Sequence, residues 1–333
     1  MKKISILICF YSCIGLIANA QNCISTEMQK MNIELFPEME AERLNLERET
    51  KEFLIQHDKS ANSETKIIPV VFHVLHQGGS ENISLAQIRN QIKILNDEYQ
   101  RIQADTVLAP SVFKVLAGKL NYEFRLATKD PNGDCTEGVT RTWTPLSNCI
   151  DNADDAKYVV GWPRDKYLNV WLVKAMSYAG STDCAGGGYA QFPGTGLAET
   201  DGIEIRHDLI GNIGTATTNS GWGNFKGRYL IHELGHWMNL RHIWGDETCG
   251  NDLVSDTPPA QASNSGCPTF PHRPNNTCGS DANGEMFNNY MDYSHGDCLN
   301  MFSKQQSLRI EAAMNSAASS RNNLSKNSNL YEV

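Results

Sequence analysis

His232, Glu233, His236 and His242 fall within one stretch, HELGHWMNLRH at 232–242, and their spacing constrains the fold more than anything else in the chain. On a helix, positions i and i+4 share a face, so His232 and His236 can grip one ion from the same side. His242 lies too far along to stay on that face unless the helix ends and the chain turns. The stretch therefore predicts a helix through His236, a reversal soon after it, and three imidazoles converging on one point.

Three nitrogen donors with a free fourth position are the ligand set of a catalytic zinc site. Glu233 sits beside them, where a general base for a zinc-activated water belongs. The long form of this motif has glycine where this chain has Asn239. Asparagine tolerates a left-handed helix end best among the other residues, at a penalty below about 1 kcal/mol. His242 is therefore kept as the third ligand. Downstream, NNYMDY (288–293) offers Met291 as an apolar floor beneath the metal and Tyr293 as a hydrogen-bond donor to an oxyanion.

A net charge of −9 gives no basic surplus to neutralise phosphates, so nucleic acid is not expected as a partner. Lys2 and Lys3, an apolar run from Ile4 to Leu16 and the small residues Ala18 and Ala20 read as a signal peptide over 1–20, hence a secreted protein. No later segment reads as a membrane span, and a monomer is expected. Export makes disulfides the default for Cys23, Cys135, Cys149, Cys184, Cys249, Cys267, Cys278 and Cys298. A Cys135–Cys149 bridge is plausible from proximity.

Residues 21–65 are crowded with charge, from Glu38 to Lys51, and end in a linker-like KSANSET. They read as a propeptide, or equally as a solvated N-terminal helix, and not as core. A catalytic domain is expected over 66–317. Strands are predicted at 67–75, 121–128, 167–173, 186–194 and 201–210 from apolar runs, alternation and flanking glycines. Ser84 and Gln87 predict a capping box before a helix carrying Ile88, Ile92, Leu95 and Tyr99. Residues 245–300 are loop-rich and need staples. A last helix is expected over 303–317 and a disordered tail over 318–333.

These motifs together resemble the pappalysin family of metzincin zinc metalloproteases. The resemblance runs from about Ile67 to Ala317 and is carried by IPVVFHVL, YLNVWLV, GYAQFPG, DGIEI, HELGHW, VSDTPP, GCP, NYMDY and MFSKQQSLRI. It implies an α/β (α+β) metzincin fold. The upper subdomain would hold a twisted, mixed and mostly parallel sheet with two long helices. The lower subdomain would be irregular and disulfide-stapled, with the cleft between the two. It further implies zinc on His232, His236 and His242, Glu233 as general base and Tyr293 as the Met-turn tyrosine. The implied bridges are Cys249–Cys278 and Cys267–Cys298, where spacing alone leaves three pairings open. Asp297 matches an acidic residue in the primed-side pocket, implying cleavage before Arg or Lys. Asp252, Asp256 and Thr257 fall where relatives bind calcium, and hard oxygen donors in a loop suit that ion.

The resemblance also implies that Cys23 ligates zinc in a latent form, although QNCIST lacks the arginine and glycine expected around such a cysteine. Pairing of Cys23 with an odd cysteine of the main domain is the alternative. The sequence thus predicts a secreted zinc endopeptidase made as a zymogen and acting on proteins or peptides. The competing expectation is a secreted zinc-binding protein of the same fold without turnover, and it rests on Asn239.

Overall fold

The computed structural model describes residues 23–57, 64–149, 153–177, 184–218, 225–274, 278 and 282–331. The expected signal peptide lies outside the described residues. At the centre is a six-stranded sheet made of β1 (Lys66–His76), β2 (Tyr122–Leu126), β3 (Val139–Trp143), β4 (Leu168–Val173), β5 (Gly188–Ala190) and β6 (Gly202–Arg206). The order is β2-β1-β4-β6-β5, with β3 also pairing β1. The long β1 takes β2 along Lys66–Val70 and β3 along Phe72–His76, so one edge of a single strand serves two partners. Every pairing is parallel except β5 on β6. This is the mixed, mostly parallel sheet expected. Its central strands are buried on both faces, which is why β1 and β4 read as nearly continuous apolar runs.

Two helices pack on one face. In α3 (Leu85–Tyr99), Ile88, Leu95 and Tyr99 point into the main core. Helix α5 (Arg228–Trp237) is buried at every position. Ser84 caps α3 by accepting from the Gln87 N–H, but the capping box is not completed. The Gln87 side-chain amide instead donates to the Ile210 carbonyl at 2.9 Å and to Thr215 Oγ1 at 3.0 Å. A full box does form at α6 (Lys304–Asn315), between Ser303 and Gln306. A single turn, α4 (Ser111–Lys114), packs Phe113 beside Met286 and Met301.

Below α5, residues 243–302 contain no strand or helix among those described. Cys249–Cys278 and Cys267–Cys298 staple this region, the two bridges that the resemblance implies. A third bridge joins Cys149 to Cys184, while Cys135 is free and exposed. The expected Cys135–Cys149 pair is therefore corrected: nearness in sequence did not bring these two thiols together. Asp292 adds a polar staple, accepting from the Asn264 backbone and side chain at 3.0 Å each and from Ser294 at 2.9 Å.

Both chain ends depart from expectation. The charged N-terminal stretch forms α1 (Ser25–Leu35) and α2 (Glu38–Gln56), which pack on the domain through Ile24, Met28, Arg43, Leu46 and Thr50. The tail is ordered over 318–331 and includes α7 (Asn327–Leu330). Its anchor is Arg321, which is 1% exposed and donates to Asp201 at 2.9 Å, to the Gln191 carbonyl at 3.0 Å and to the Trp237 carbonyl. Polar composition suggested disorder, but the buried guanidinium with three acceptors, together with Leu324 in the main core, docks the segment.

Candidate metal centre

The end of α5 builds the site. Gly235 and His236 carbonyls accept from the N–H groups of Leu240 and Asn239 at 2.8 and 2.9 Å, the 6→1 and 5→2 bonds of a Schellman motif. Asn239 takes the left-handed position at φ 76°. The chain reverses there and His242 returns to the face that carries His232 and His236. Glycine is needed four residues earlier for another reason. A Cβ on Gly235 would lie 2.3 Å from Met291 Sδ, so the Met-turn packs directly against the helix backbone.

His236 Nε2 lies 3.1 Å from His232 Nε2 and 3.0 Å from His242 Nε2. Each outer nitrogen is held by an acceptor. His232 Nδ1 faces the Tyr290 carbonyl at 2.7 Å, His236 Nδ1 the Leu240 carbonyl at 2.9 Å, and His242 Nδ1 the Asp246 carboxylate. A carbonyl requires N–H at Nδ1, which leaves Nε2 as a bare lone pair. Three lone pairs this close repel one another unless a cation lies between them. Burial, then the neighbouring imidazoles, push His232 and His236 well below the usual range, so neutral ligands are favoured. The donor set fits a zinc ion.

Cys23 Sγ completes the cluster, its donor atom within 4.8 Å of the three nitrogens. The Cys23–Ser25 stretch lies along β5: the Ile24 N–H donates to the Gly188 carbonyl at 3.3 Å, and the Ala190 N–H donates to Ser25 Oγ at 2.8 Å. Ser25 Oγ in turn donates to Glu233 Oε2 at 2.9 Å, and the Cys23 thiol donates to the same oxygen at 3.5 Å. Burial raises Glu233 to about 8 against these two bonds, and it lifts the Cys23 thiol further with help from Glu233. Glu233 Oε1 is buried without a hydrogen-bond partner in the described structure. The Tyr293 hydroxyl donates to the Cys23 carbonyl at 3.2 Å.

Three groups escaped the sequence reading. Trp244 stacks on His242, ring centres 4.3 Å apart and planes within 5°. Asp246 fixes the same imidazole; burial alone would raise its carboxyl, but His242, with His236 and Thr26 behind it, outweighs that and holds it at about 2. Asp292 anchors the Met-turn from below. The HIWGD spacing of Asp246, four residues after His242, was the only signal available for any of them.

Other expected site residues are dispersed. Asp297 is half exposed and pairs with Lys226 Nζ at 2.9 Å. Asp252 accepts from the Thr257 hydroxyl at 2.7 Å, and burial lifts its carboxyl to about 6. Asp256 faces the start of α6 instead, accepting from Ser303 Oγ at 2.5 Å and from the Gln305 N–H at 3.0 Å.

Comparison with known proteins places this geometry. The family model described as Pregnancy-associated plasma protein-A matches residues 151–315. An extracellular metalloprotease of Coccidioides posadasii is 33% identical over 251 residues, covering 74% of this chain and 75% of that protein. The chain belongs to the pappalysin family. It is a zinc metalloendopeptidase with the metzincin fold. A further extracellular metalloprotease, from Arthroderma otae, is 28% identical over 256 residues, covering 74% of this chain and 77% of its own. Tannerella forsythia mature mirolysin in complex with a cleaved peptide superposes with a TM-score of 0.73 at 38% identity, covering 82% of this chain and all of that one. A promirolysin mutant from the same organism gives 0.75 at 36%, covering 92% and 97%. The expectation of a zinc-binding protein without turnover gives way to the enzyme. Asn239, its one support, adopts the backbone conformation that the turn requires.

Proposed function

We propose that this pappalysin is secreted as a latent zinc endopeptidase, with 1–20 as signal peptide and 21–65 as propeptide. Its catalytic groups would be His232, His236 and His242 on zinc, Glu233 as proton acceptor and donor, and Tyr293 as oxyanion donor. The observation that carries the reading is the convergence of Cys23 Sγ with three Nε2 atoms while Ser25 engages Glu233. In this arrangement Cys23 takes the fourth ligand position, Ser25 takes the base, and the Cys23 carbonyl takes Tyr293. The similarity to promirolysin, a zymogen by its name, supports the same reading.

The three histidines would hold a zinc ion, which when bound would supply an acidified water and a polarised carbonyl. Glu233, freed of Ser25, would accept a proton from that water and pass it to the leaving amine. With the N-terminal segment in place Glu233 is fully buried, and desolvation raises its carboxyl to about 8. The Tyr293 hydroxyl, already aimed at a carbonyl oxygen, donates to the developing oxyanion. Met291 and Gly235 hold the floor flat, and Asp246 and Trp244 fix the His242 ring.

Basic selectivity on the primed side is part of the proposal. Lys226 at 2.9 Å from Asp297 supports a carboxylate there that accepts a cation. Self-processing would then fall before Lys59, which lies outside the described residues, or before Lys66. The Lys66 N–H is already bonded to the Asn121 carbonyl at the start of β1, which favours the earlier bond. Calcium around Asp252, Asp256 and Thr257 remains a proposal for the lower subdomain, and a monomer is the proposed state. Among the described residues no helix is long and apolar enough to cross a membrane.

The test compares the native chain with Glu233→Ala, measuring zinc content, peptide-library cleavage and N-terminal sequence on the same samples. The reading expects about one zinc per chain in both, cleavage before Arg or Lys, and a new N-terminus at Lys59 or Lys66 in the native chain only. Equal cleavage by both would overturn the assignment of Glu233, and cuts without basic preference would overturn that of Asp297.

A further inference from the structure

The Asn239 turn does more than return His242. Its side chain is wholly buried and faces α2 rather than the metal centre. Arg43 Nη1 donates to Asn239 Oδ1 at 2.6 Å, and Asn239 Nδ2 donates to Glu47 Oε1 at 3.3 Å. The same guanidinium also reaches the Pro193 carbonyl at 3.0 Å and Glu47 at 3.1 Å. From the catalytic domain, Arg309 Nη2 donates to Glu47 Oε1 at 2.6 Å, while its Nε donates to the Asn239 carbonyl at 2.8 Å. One amide thus offers an acceptor to a cation and a donor to an anion spaced i,i+4 on a helix. The backbone shape agrees, because a Cβ at Gly194 would lie only 3.3 Å from Glu42 Cγ and 3.5 Å from the Arg43 backbone nitrogen.

Glycine at 239 would supply the turn but neither hydrogen bond. We propose that the Asn239–Arg309 face is a docking site for a helix presenting Arg and Glu four residues apart, filled by this chain's own Arg43 and Glu47. It holds the N-terminal segment independently of the Cys23 end. The segment is therefore fixed at two places, and breaking the peptide bond that follows it does not by itself release it. The consequence for latency rests on the function proposed above; the docking does not. Buried charge-assisted bonds of this kind are among the stronger polar contacts, and Arg43 at 6% exposure has no solvent to turn to.

Hydrogen–deuterium exchange on the intact full-length chain tests the idea without any catalysis, so an enzyme that cleaves nothing can still show the docking. Arg43→Ala is expected to speed exchange of 38–56 more than tenfold, and Asn239→Gly several-fold, with α5 and β1 still protected. The double variant should speed exchange by less than the product of the two single effects, since the Arg43–Asn239 bond is lost in both. Cys23→Ala should leave 38–56 as slow as in the native chain. Native-like exchange of 38–56 in Arg43→Ala overturns the proposal. So does a Cys23→Ala chain that frees α2 as fully as Arg43→Ala, because the two holds would then be one.

Discussion

Ser25 Oγ donates to Glu233 Oε2 at 2.9 Å across 208 positions of sequence, while its own oxygen accepts from the Ala190 N–H at 2.8 Å. A single hydroxyl therefore ties the general-base candidate to the edge strand. Leaving a buried hydrogen-bonding group without its partner costs about 1–3 kcal/mol, equivalent to a roughly five- to hundredfold shift in population. Ser25→Ala should raise peptide cleavage by the intact chain by that factor, measured before any N-terminal residues are lost and checked by mass. An intact chain that remains as silent as the native one would remove Ser25 from the hold.

Tyr293 donates to the Cys23 carbonyl, in the place proposed for a substrate oxyanion. Loss of one such donor typically lowers kcat by about 10²–10³-fold. Tyr293→Phe keeps the ring, which packs against His242 and Trp244 with centres 5.0 and 4.9 Å away. Steady-state kinetics on the processed form should show the drop in kcat with little change in KM. Unchanged kcat would reduce Tyr293 to a packing role.

Glu204 on β6 is 2% exposed, and its Oε2 has no hydrogen-bond partner in the described structure. Burial raises its carboxyl to about 8, with Lys157 pulling the other way. The folded chain thus keeps a proton that the unfolded chain releases near 4.5. Its contribution to stability is fully present below that value and is lost as pH rises towards 8. Each unit of such a shift is worth about 1.4 kcal/mol. Glu204→Gln should therefore flatten the decline of urea midpoints between pH 5 and 8, leaving the variant more stable than the native chain at the upper end. Parallel pH curves would show that Glu204 is solvated or paired when charged.

Arg321 and Asp201 form an ion pair in which both side chains are 1% exposed. Breaking a buried pair from one side costs about 3–5 kcal/mol when the other charge is stranded, and the low end is expected here because Asp201 keeps Trp237 Nε1 at 2.8 Å and Arg164 at 3.7 Å. Arg321→Ala, or a chain ending at Ala317, should lose that much by urea unfolding, and Asp201→Asn in the Arg321→Ala background should recover part of it. A truncated chain with the native midpoint would return the tail to the disordered status that its composition suggests.

The histidine spacing with its adjacent glutamate and five of the six strands were legible because each rests on local periodicity or on residues close in sequence, whereas β3 (Val139–Trp143) and the order of the strands in the sheet were not. His232 and His236 share a helix face by geometry alone, and β1 and β4 announce burial by their apolar runs. The bridge from Cys149 to Cys184 was not legible, since thiols pair by distance in space and Cys135 was the nearer neighbour in sequence. Nor was the order of the two chain ends. Both are polar, and their docking uses buried side chains, Ser25 and Arg43 at one end and Arg321 at the other, whose partners come from remote segments.

The sequence by itself determined the chemistry: three imidazoles, one carboxylate and an asparagine able to end a helix left-handed, all within HELGHWMNLRH. Only the tertiary structure decided what surrounds that chemistry. It brought Cys23 and Ser25 onto the metal centre, set Trp244 and Asp246 against His242, and turned Asn239 into a contact for Arg43 and Glu47. The physical reason is that ligand spacing follows from the helical repeat, which any stretch of chain carries in itself. Hydrogen bonds between segments two hundred residues apart exist only after the sheet and α5 have packed.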